Sequence, residues 1–414
     1  MISKDSKKGK LNKQLLTLED VNSAKETLKG VSRKTDLIYS SVFSDECSNE
    51  VYIKPENLQV TGAFKIRGAY NKIVKLSDNE KKRGVIASSA GNHAQGVAYA
   101  CEKLGVKATI VMPKTTPLIK VNATKAYGAD IVLFGDCYDD AYNEANRLKD
   151  KHNYVFIHPF DDLDVIAGQG TIACEIIKDL KDVDQIMVPI GGGGLISGIA
   201  FAAKKLKPSI KIIGVEPEGA KAMKVSVKEN KIMNLDGVNT IADGVAVKKP
   251  GSYTFEIIRD YVDEIITVSD YEIMEALLLL IEKHKLIAEN AGVLPLAGLK
   301  KINSINKNTV CLISGGNIDV VTISSMINKG LVSRGRLFCF SVELPDTPGE
   351  LLNISKILTK LKANIIKLDH NQFKTLDRFM DVQLEVTVEC DGHKHVEEII
   401  SELNKTDYKI TRVY

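Results

Sequence analysis

An α/β fold with parallel sheets covered on both faces, followed by a small βαββαβ unit, is what this 414-residue sequence predicts. Three observations carry the expectation. Between residues 50 and 314, short apolar runs alternate with amphipathic helical segments. Glycine- or serine-bearing turns follow several of these runs, at the strand ends where such folds place their ligands. Past residue 330 the pattern changes to longer alternating strands separated by two helical stretches.

In chain order, the N-terminal stretch MISKDSKKGKLNK is basic and has neither an apolar core nor a small-residue cleavage site. It reads as a solvated tail over residues 1–16, not as a secretory signal. Strands are expected at VYIK (51–54), GVIAS (84–88), ATIVMP (108–113), DIVLFG (130–135) and YVFIH (154–158). They continue with QIMVPI (185–190), KIIGVE (211–216), EIITVS (264–269) and TVCLIS (309–314). Several are unbroken apolar runs, as strands buried on both faces require. Residues 93–104 form an amphipathic helix that Gly105 should stop. The α/β part is expected over residues 17–330. A polar stretch with two glycines (329–335) marks the boundary. Beyond it, RLFCFSVELPD, NIIKLDHNQF, RFMDVQLEVTVEC and YKITRVY read as strands, and PGELLNISKILTKLKA and HVEEIISELNK as helices. That order gives a ferredoxin-like unit over residues 336–414.

Composition narrows the function classes. Hydrophobic residues make up 44% and charged residues 26%, an ordinary globular balance. The net charge of +3 gives no footprint for a nucleic-acid polymer or an anionic membrane. The longest apolar runs, such as 276–281, fall far short of the ~20 residues that span a bilayer. The seven cysteines are scattered and form no CxxC pair, which fits reduced thiols in a cytoplasm and neither a disulfide framework nor a zinc site. His393 and His395 sit in a polar turn and read as solvated residues, so no metal is expected.

Four segments carry the chemistry. Gly191, Gly192, Gly193 and Gly194 directly follow a strand and precede LISGIAFAAKKL, so backbone N–H groups and a helix start can face an anion. The tract is neither GxGxxG nor a P-loop, and the alternative is a plain tight turn. Four glycines in a row cost unfolded-chain entropy, which favours the anion site. Ser88, Ser89, Ala90, Gly91, Asn92 and His93 also join a strand to a helix and suit a carboxylate or phenolate oxygen. By itself that segment is equally a helix cap. Ser314, Gly315, Gly316 and Asn317 end the last α/β strand and put a hydroxyl there. Lys65, flanked by Ala63, Phe64 and Ile66, is a candidate for a desolvated, nucleophilic amine. Alone it would read as a surface lysine on a helix.

Taken together, ENLQVTGAFKIRGAY, SSAGNHAQGVAYA, PIGGGGLISG and SGGN, in this order and spacing, closely resemble threonine ammonia-lyase (threonine dehydratase). That family belongs to the fold-type II pyridoxal-phosphate (PLP) enzymes. The resemblance covers about residues 15–330, and it implies a catalytic domain over 17–330 with a smaller lobe at about 57–155 inserted into a larger one. The C-terminal unit, with DTPGEL (346–351) after its first strand, looks like an ACT regulatory domain. The resemblance implies that Lys65 holds the cofactor as a Schiff base, Phe64 lies beside its ring and Asn92 meets its phenolic oxygen. Gly191, Gly192, Gly193, Gly194 and Leu195 would cradle the phosphate, and Ser314 would partner the pyridine nitrogen. Ser89, Ala90 and Gly91 would receive the substrate carboxylate. The implied reaction is deamination of L-threonine to 2-oxobutanoate and ammonia, and of L-serine to pyruvate.

The nearest rival, serine racemase, carries a proton-moving serine where this chain has Ala90. Its divalent-metal site begins with a glutamate that matches Glu216, but a further ligand would fall on Ala222, which cannot bind metal. Cysteine synthases lack the Asn-His-Ala-Gln stretch seen here at 92–95. A non-catalytic amino-acid sensor would have no need of Lys65. The family further implies a cytoplasmic homo-oligomer, a tetramer, with an amino-acid or nucleotide effector at the ACT-like unit.

Overall fold

The computed structural model describes residues 16–371 and 381–414. Residues 1–15 of the expected tail, and the expected turn and strand ends at 372–380, lie outside the described residues. Leu16, assigned above to the tail, is instead buried in the main apolar core beside Val21 and Ala24. The chain divides into two compact units, up to Ile318 and Asp319–Tyr414.

The first unit contains β1 (Ile38–Tyr39), β2 (Glu50–Pro55), β3 (Val85–Ser88), β4 (Ala108–Met112), β5 (Asp130–Leu133), β6 (Val155–Phe156), β7 (Gln185–Pro189), β8 (Lys211–Pro217), β9 (Glu264–Val268) and β10 (Asn308–Ile313). They form two sheets, one of order β1-β2-β10-β7-β8-β9 and one of order β5-β4-β3-β6. Every pairing is parallel except β1 with β2. The chain leaves the large sheet after β2, builds the whole small sheet, and rejoins the large one at β7. The small sheet is thus an insertion.

All nine apolar runs are strands, most of them trimmed by a residue or two. β1 has two residues, too short to leave a periodic signal. The run at 154–158 contracts to Val155–Phe156, because the following residues turn away to carry side chains described below. β3, β4 and β7 are buried throughout, as parallel strands between helical layers must be. The helix Asn92–Leu104 ends at Gly105 in the left-handed conformation, φ 63°, which glycine adopts without strain. The helix Leu163–Asp179 crosses Gly194–Leu206 at Gly170 and Gly198, where any added Cβ would strike the opposite backbone. Close helix contact there brings the glycine tract to its position.

The second unit contains β11 (Leu337–Pro345), β12 (Asn364–Asn371), β13 (Asp381–Glu389) and β14 (Lys409–Arg412), with helices Val320–Ser333, Glu350–Lys360 and His393–Leu403. Its antiparallel sheet has the order β12-β13-β11-β14, the ferredoxin-like arrangement of a βαββαβ chain. Phe338, Phe340, Val342, Leu384 and Val386 fill a core of its own under the two helices of that motif. Among the described residues, no helix is long and apolar enough to cross a membrane.

Candidate active site

Parallel strands deliver their carboxyl ends to one side, and all four candidate segments lie there. Lys65 follows β2 after a single 3-10 turn (Glu56–Leu58) and a loop, Asn92 follows β3, the glycine tract follows β7, and Ser314 follows β10. Backbone bonds tie the first and last of these together. Ala63 and Gly315 form an isolated antiparallel bridge, Phe64 N donates to Ser314 O (3.1 Å), and Gly316 N donates to Gly62 O (2.8 Å). Asn317 Nδ2 donates both to Thr61 O and to Asn92 Oδ1, each at 2.8 Å. One asparagine thus locks three of the four segments in register.

Lys65 is the first residue of the helix Lys65–Val74, a position that directs its part-buried side chain back toward the strand ends. Its Nζ donates to Pro159 O (2.8 Å) and lies 5.3 Å from the centre of the Phe64 ring. Desolvation pushes its pKa down to about 8, with Glu289 opposing the shift. His93, behind it, donates from Nε2 to Ile157 O (2.9 Å). Burial, and then repulsion from Lys65, push its pKa down to about 3. At neutral pH it is therefore uncharged and does not compete for an anion.

The glycine tract enters the helix Gly194–Leu206 through Gly193 at φ 94°. Its neighbours explain why each position lacks a side chain. A Cβ on Gly192 would run into the Phe160 ring, one on Gly193 would lie 2.8 Å from Ile258 and Met223, and one on Gly194 would lie 2.8 Å from Phe160 O. The N–H groups of the first helical turn have no acceptor within the helix and form a ready anion cradle. Leu195, next in line, is buried.

Asn92 Nδ2 donates to Glu289 Oε1 (2.7 Å). Burial pushes the Glu289 carboxyl up to about 7, and the Asn92 bond pulls it back down in part. Sequence reading missed this residue. It lies in a loop after a π-helical turn (Leu280–His284), and no periodicity marks it. Ser89 Oγ accepts from Gly91 N (3.2 Å), and the side-chain direction of Gly91 opens onto free space. Glu216 accepts from Met223 N and Lys224 N (3.0 and 2.8 Å), so its carboxylate caps the helix Ala222–Lys228. Burial raises its pKa to about 7.

Behind Lys65 lies a buried ionic cluster that sequence reading also missed. Arg67 grips Glu56 through Nε and Nη2 (both 2.8 Å) and Glu175 through Nη1 (2.6 Å). Lys54 Nζ reaches the same Glu175 (2.6 Å). Arg67, Lys54 and Glu56 are all at most 1% exposed. Two cations against two carboxylates balance the charge, which such burial demands.

An amine poised near neutrality, a glycine-lined helix start and a strand-end hydroxyl, together at the carboxyl edge of two parallel sheets, define an enzyme of the pyridoxal-phosphate class. The residues fit that group: the desolvated Lys65 suits its aldehyde, the orphan N–H groups suit its phosphate, and free space lies at Gly91. The family model described as "Pyridoxal-phosphate dependent enzyme" matches residues 28–316, and the chain belongs to that family. An L-threonine ammonia-lyase of Thermotoga maritima is 47% identical over 397 residues, 96% of this chain and 99% of that protein. The processed form of threonine deaminase isoform 2 from Solanum lycopersicum superposes with a TM-score of 0.73 at 40% identity, over 75% of this chain and 86% of that one. Maize serine racemase gives the same TM-score at 34% identity, over 77% of this chain and 99% of that one.

Proposed function

We propose that this chain deaminates L-threonine to 2-oxobutanoate and ammonia, and L-serine to pyruvate, using pyridoxal phosphate bound at Lys65. The observation that carries the reading is the convergence of Lys65, Asn92, residues 191–195 and Ser314 at one strand edge, in a chain 47% identical to a threonine ammonia-lyase along nearly its whole length. When bound, the cofactor supplies an electron sink for the Cα–H bond. Lys65 moves that proton. Its pKa of about 8 lets it take and return a proton near neutrality, and Pro159 O fixes where its amine rests. Phe64 packs against the ring, and Leu195 and the four glycines hold the phosphate with backbone N–H groups. Ser89, Ala90 and Gly91 orient the substrate carboxylate at the start of the helix Asn92–Leu104. Ala90 has no proton to give, so the opposite face of Cα has no acid there. That favours elimination over racemisation.

Ser314 completes the assignment, since a hydroxyl is too weak an acid to protonate the pyridine nitrogen. Ser314→Asp is expected to slow 2-oxobutanoate formation by about tenfold or more, and to raise long-wavelength absorption on adding threonine. Stopped-flow absorbance measures both. Wild-type rates and spectra in that variant would remove Ser314 from the site.

We assign the second unit to effector binding, as an ACT-like module in a cytoplasmic homo-tetramer. The family model ends at residue 316, and the unit has its own core. Gly349, at φ 110°, opens the helix Glu350–Lys360 with unobstructed space at its side-chain position. A chain ending at Lys329 is expected to keep threonine turnover and to lose any response to isoleucine, valine or ADP. Loss of basal turnover in a folded, cofactor-loaded truncation would place the unit in the catalytic assembly. The overall reading is tested by steady-state kinetics on threonine and serine with and without those three effectors. Absence of both keto acids from cofactor-loaded protein would overturn it.

A further inference from the structure

Residues 158–162 follow the shortened β6 and touch nearly every part of the site. Pro159 O receives Lys65 Nζ. Phe160 presses its ring and backbone onto Gly192 and Gly194. The Asp161 carboxylate accepts from Ser252 N, Tyr253 N and Thr254 N, capping the helix Ser252–Tyr261 (2.8, 2.8 and 3.2 Å). Asp162 caps the helix Leu163–Asp179 and pairs with Lys72. A single side chain organises this turn from within. His158 Nδ1 accepts from Asp161 N (2.8 Å) and Phe160 N (3.3 Å), while its ring stands edge-on to Phe160 at 4.7 Å between centres.

We infer that His158 is a positioning residue, whose unprotonated Nδ1 folds residues 158–162 into the turn that holds Lys65 and the glycine tract in register. The inference rests on the reading above in one respect, that Lys65 carries the cofactor. An acceptor of two N–H groups has no room for a proton of its own, so the imidazole hydrogen resides on Nε2. Protonation of Nδ1 would set three N–H groups against one another and release the turn. The charged groups around the ring do little to rescue an imidazolium. Lys65, on the helix Lys65–Val74, repels it, while Asp161 and Asp162, on its own turn, attract it but are already engaged by backbone N–H groups. His93, on the helix Asn92–Leu104, is neutral, and the rings of Phe156 and Phe160 are apolar. Burial accordingly holds His158 below the ordinary imidazole range.

The test uses the full chain with His158→Phe, which keeps an aromatic ring but removes the acceptor. It adds His158→Asn, whose side-chain oxygen stands where Nδ1 stood and does not titrate. Removing two net bonds predicts that His158→Phe binds pyridoxal phosphate about tenfold or more weakly. It also predicts a lower kcat on threonine with little change in KM, since Lys65 and not the substrate pocket is displaced. His158→Asn should recover cofactor affinity to within about threefold and shift the acid limb of the kcat profile to lower pH. The inference is overturned if His158→Phe binds cofactor as tightly as wild type, if His158→Asn is no better than His158→Phe, or if its acid limb does not move. Should His158→Phe fail to fold, the acid limb of His158→Asn decides alone. Wild-type protein that binds cofactor but makes no 2-oxobutanoate sinks the threonine reading only. Absorbance titration of the apoprotein then still judges His158.

Discussion

Lys65→Ala protein is expected to form 2-oxobutanoate from threonine at least about a thousandfold more slowly than wild type, with its melting temperature preserved. Lys65 is the lysine that the family resemblance gives to the cofactor, and its amine is held at 2.8 Å by Pro159 O. Truncating it removes a desolvated cation instead of a packed apolar group, so the fold loses little. The pH dependence follows from the direction of its shift. The side chain must be neutral to attack an aldehyde, and burial has lowered its pKa from 10.5 to about 8. Capture of pyridoxal phosphate by wild-type apoprotein should therefore accelerate as pH rises and level off above about 8. In Lys65→Ala the covalent phase should vanish at every pH. A visible-absorbance time course reads both, and normal 2-oxobutanoate production by the variant would refute the assignment.

Arg67→Ala is expected to cost about 3–5 kcal/mol of stability, because it strips Glu56 of its ion-pair partner in a fully buried site. Arg67→Lys should recover only part of this, since an ammonium cannot grip both oxygens of Glu56 and reach Glu175 at once. Urea denaturation measures each. Acidification supplies an independent check. Burial pushes the Glu56 carboxyl up, but the attraction and hydrogen bonds of Arg67 outweigh it and hold the pKa below the ordinary value of 4.5. A depressed carboxylate stabilises the fold above its unfolded pKa and loses that contribution as pH falls through the folded one. In Arg67→Ala only Lys54 and the Thr35 hydroxyl still oppose burial, so the Glu56 pKa rises and lowering the pH toward 4.5 should narrow the gap to wild type. A loss below about 1 kcal/mol would show that the cluster is dispensable.

Much of this architecture was legible because parallel strands buried on both faces write themselves as unbroken apolar runs. TVCLIS and QIMVPI could be placed to within a residue or two for that reason. The glycine tract was legible too, although only the structure shows that Phe160 crowds Gly192 and Gly194. Residues whose role depends on distant partners stayed hidden. Glu56, Arg67 and Glu175 look like solvated charges until the fold places Arg67 against residues 11 and 108 positions away. Glu289 joins the site through Asn92, 197 positions earlier. His158 appears in sequence as the last residue of a strand, and its ring bonds the very turn that ends the strand early.

The position of β10 bears on how the protein is made. It is the last strand of the first unit to be synthesised, yet it lies between β2 and β7 in the middle of the large sheet. Lys307 N finds Asn49 Oδ1 across 258 residues, and Ser314 and Asn317 follow directly. A nascent chain that has released β2 through β9 from the ribosome still has a gap where its central strand belongs. Contacts this remote in sequence form slowly, and unfilled sheet edges invite wrong partners while they wait. Refolding from denaturant should accordingly be slow and prone to aggregation. Cofactor binding should appear only with the final phase, because Ser314 and Asn317 arrive with the strand that closes the sheet.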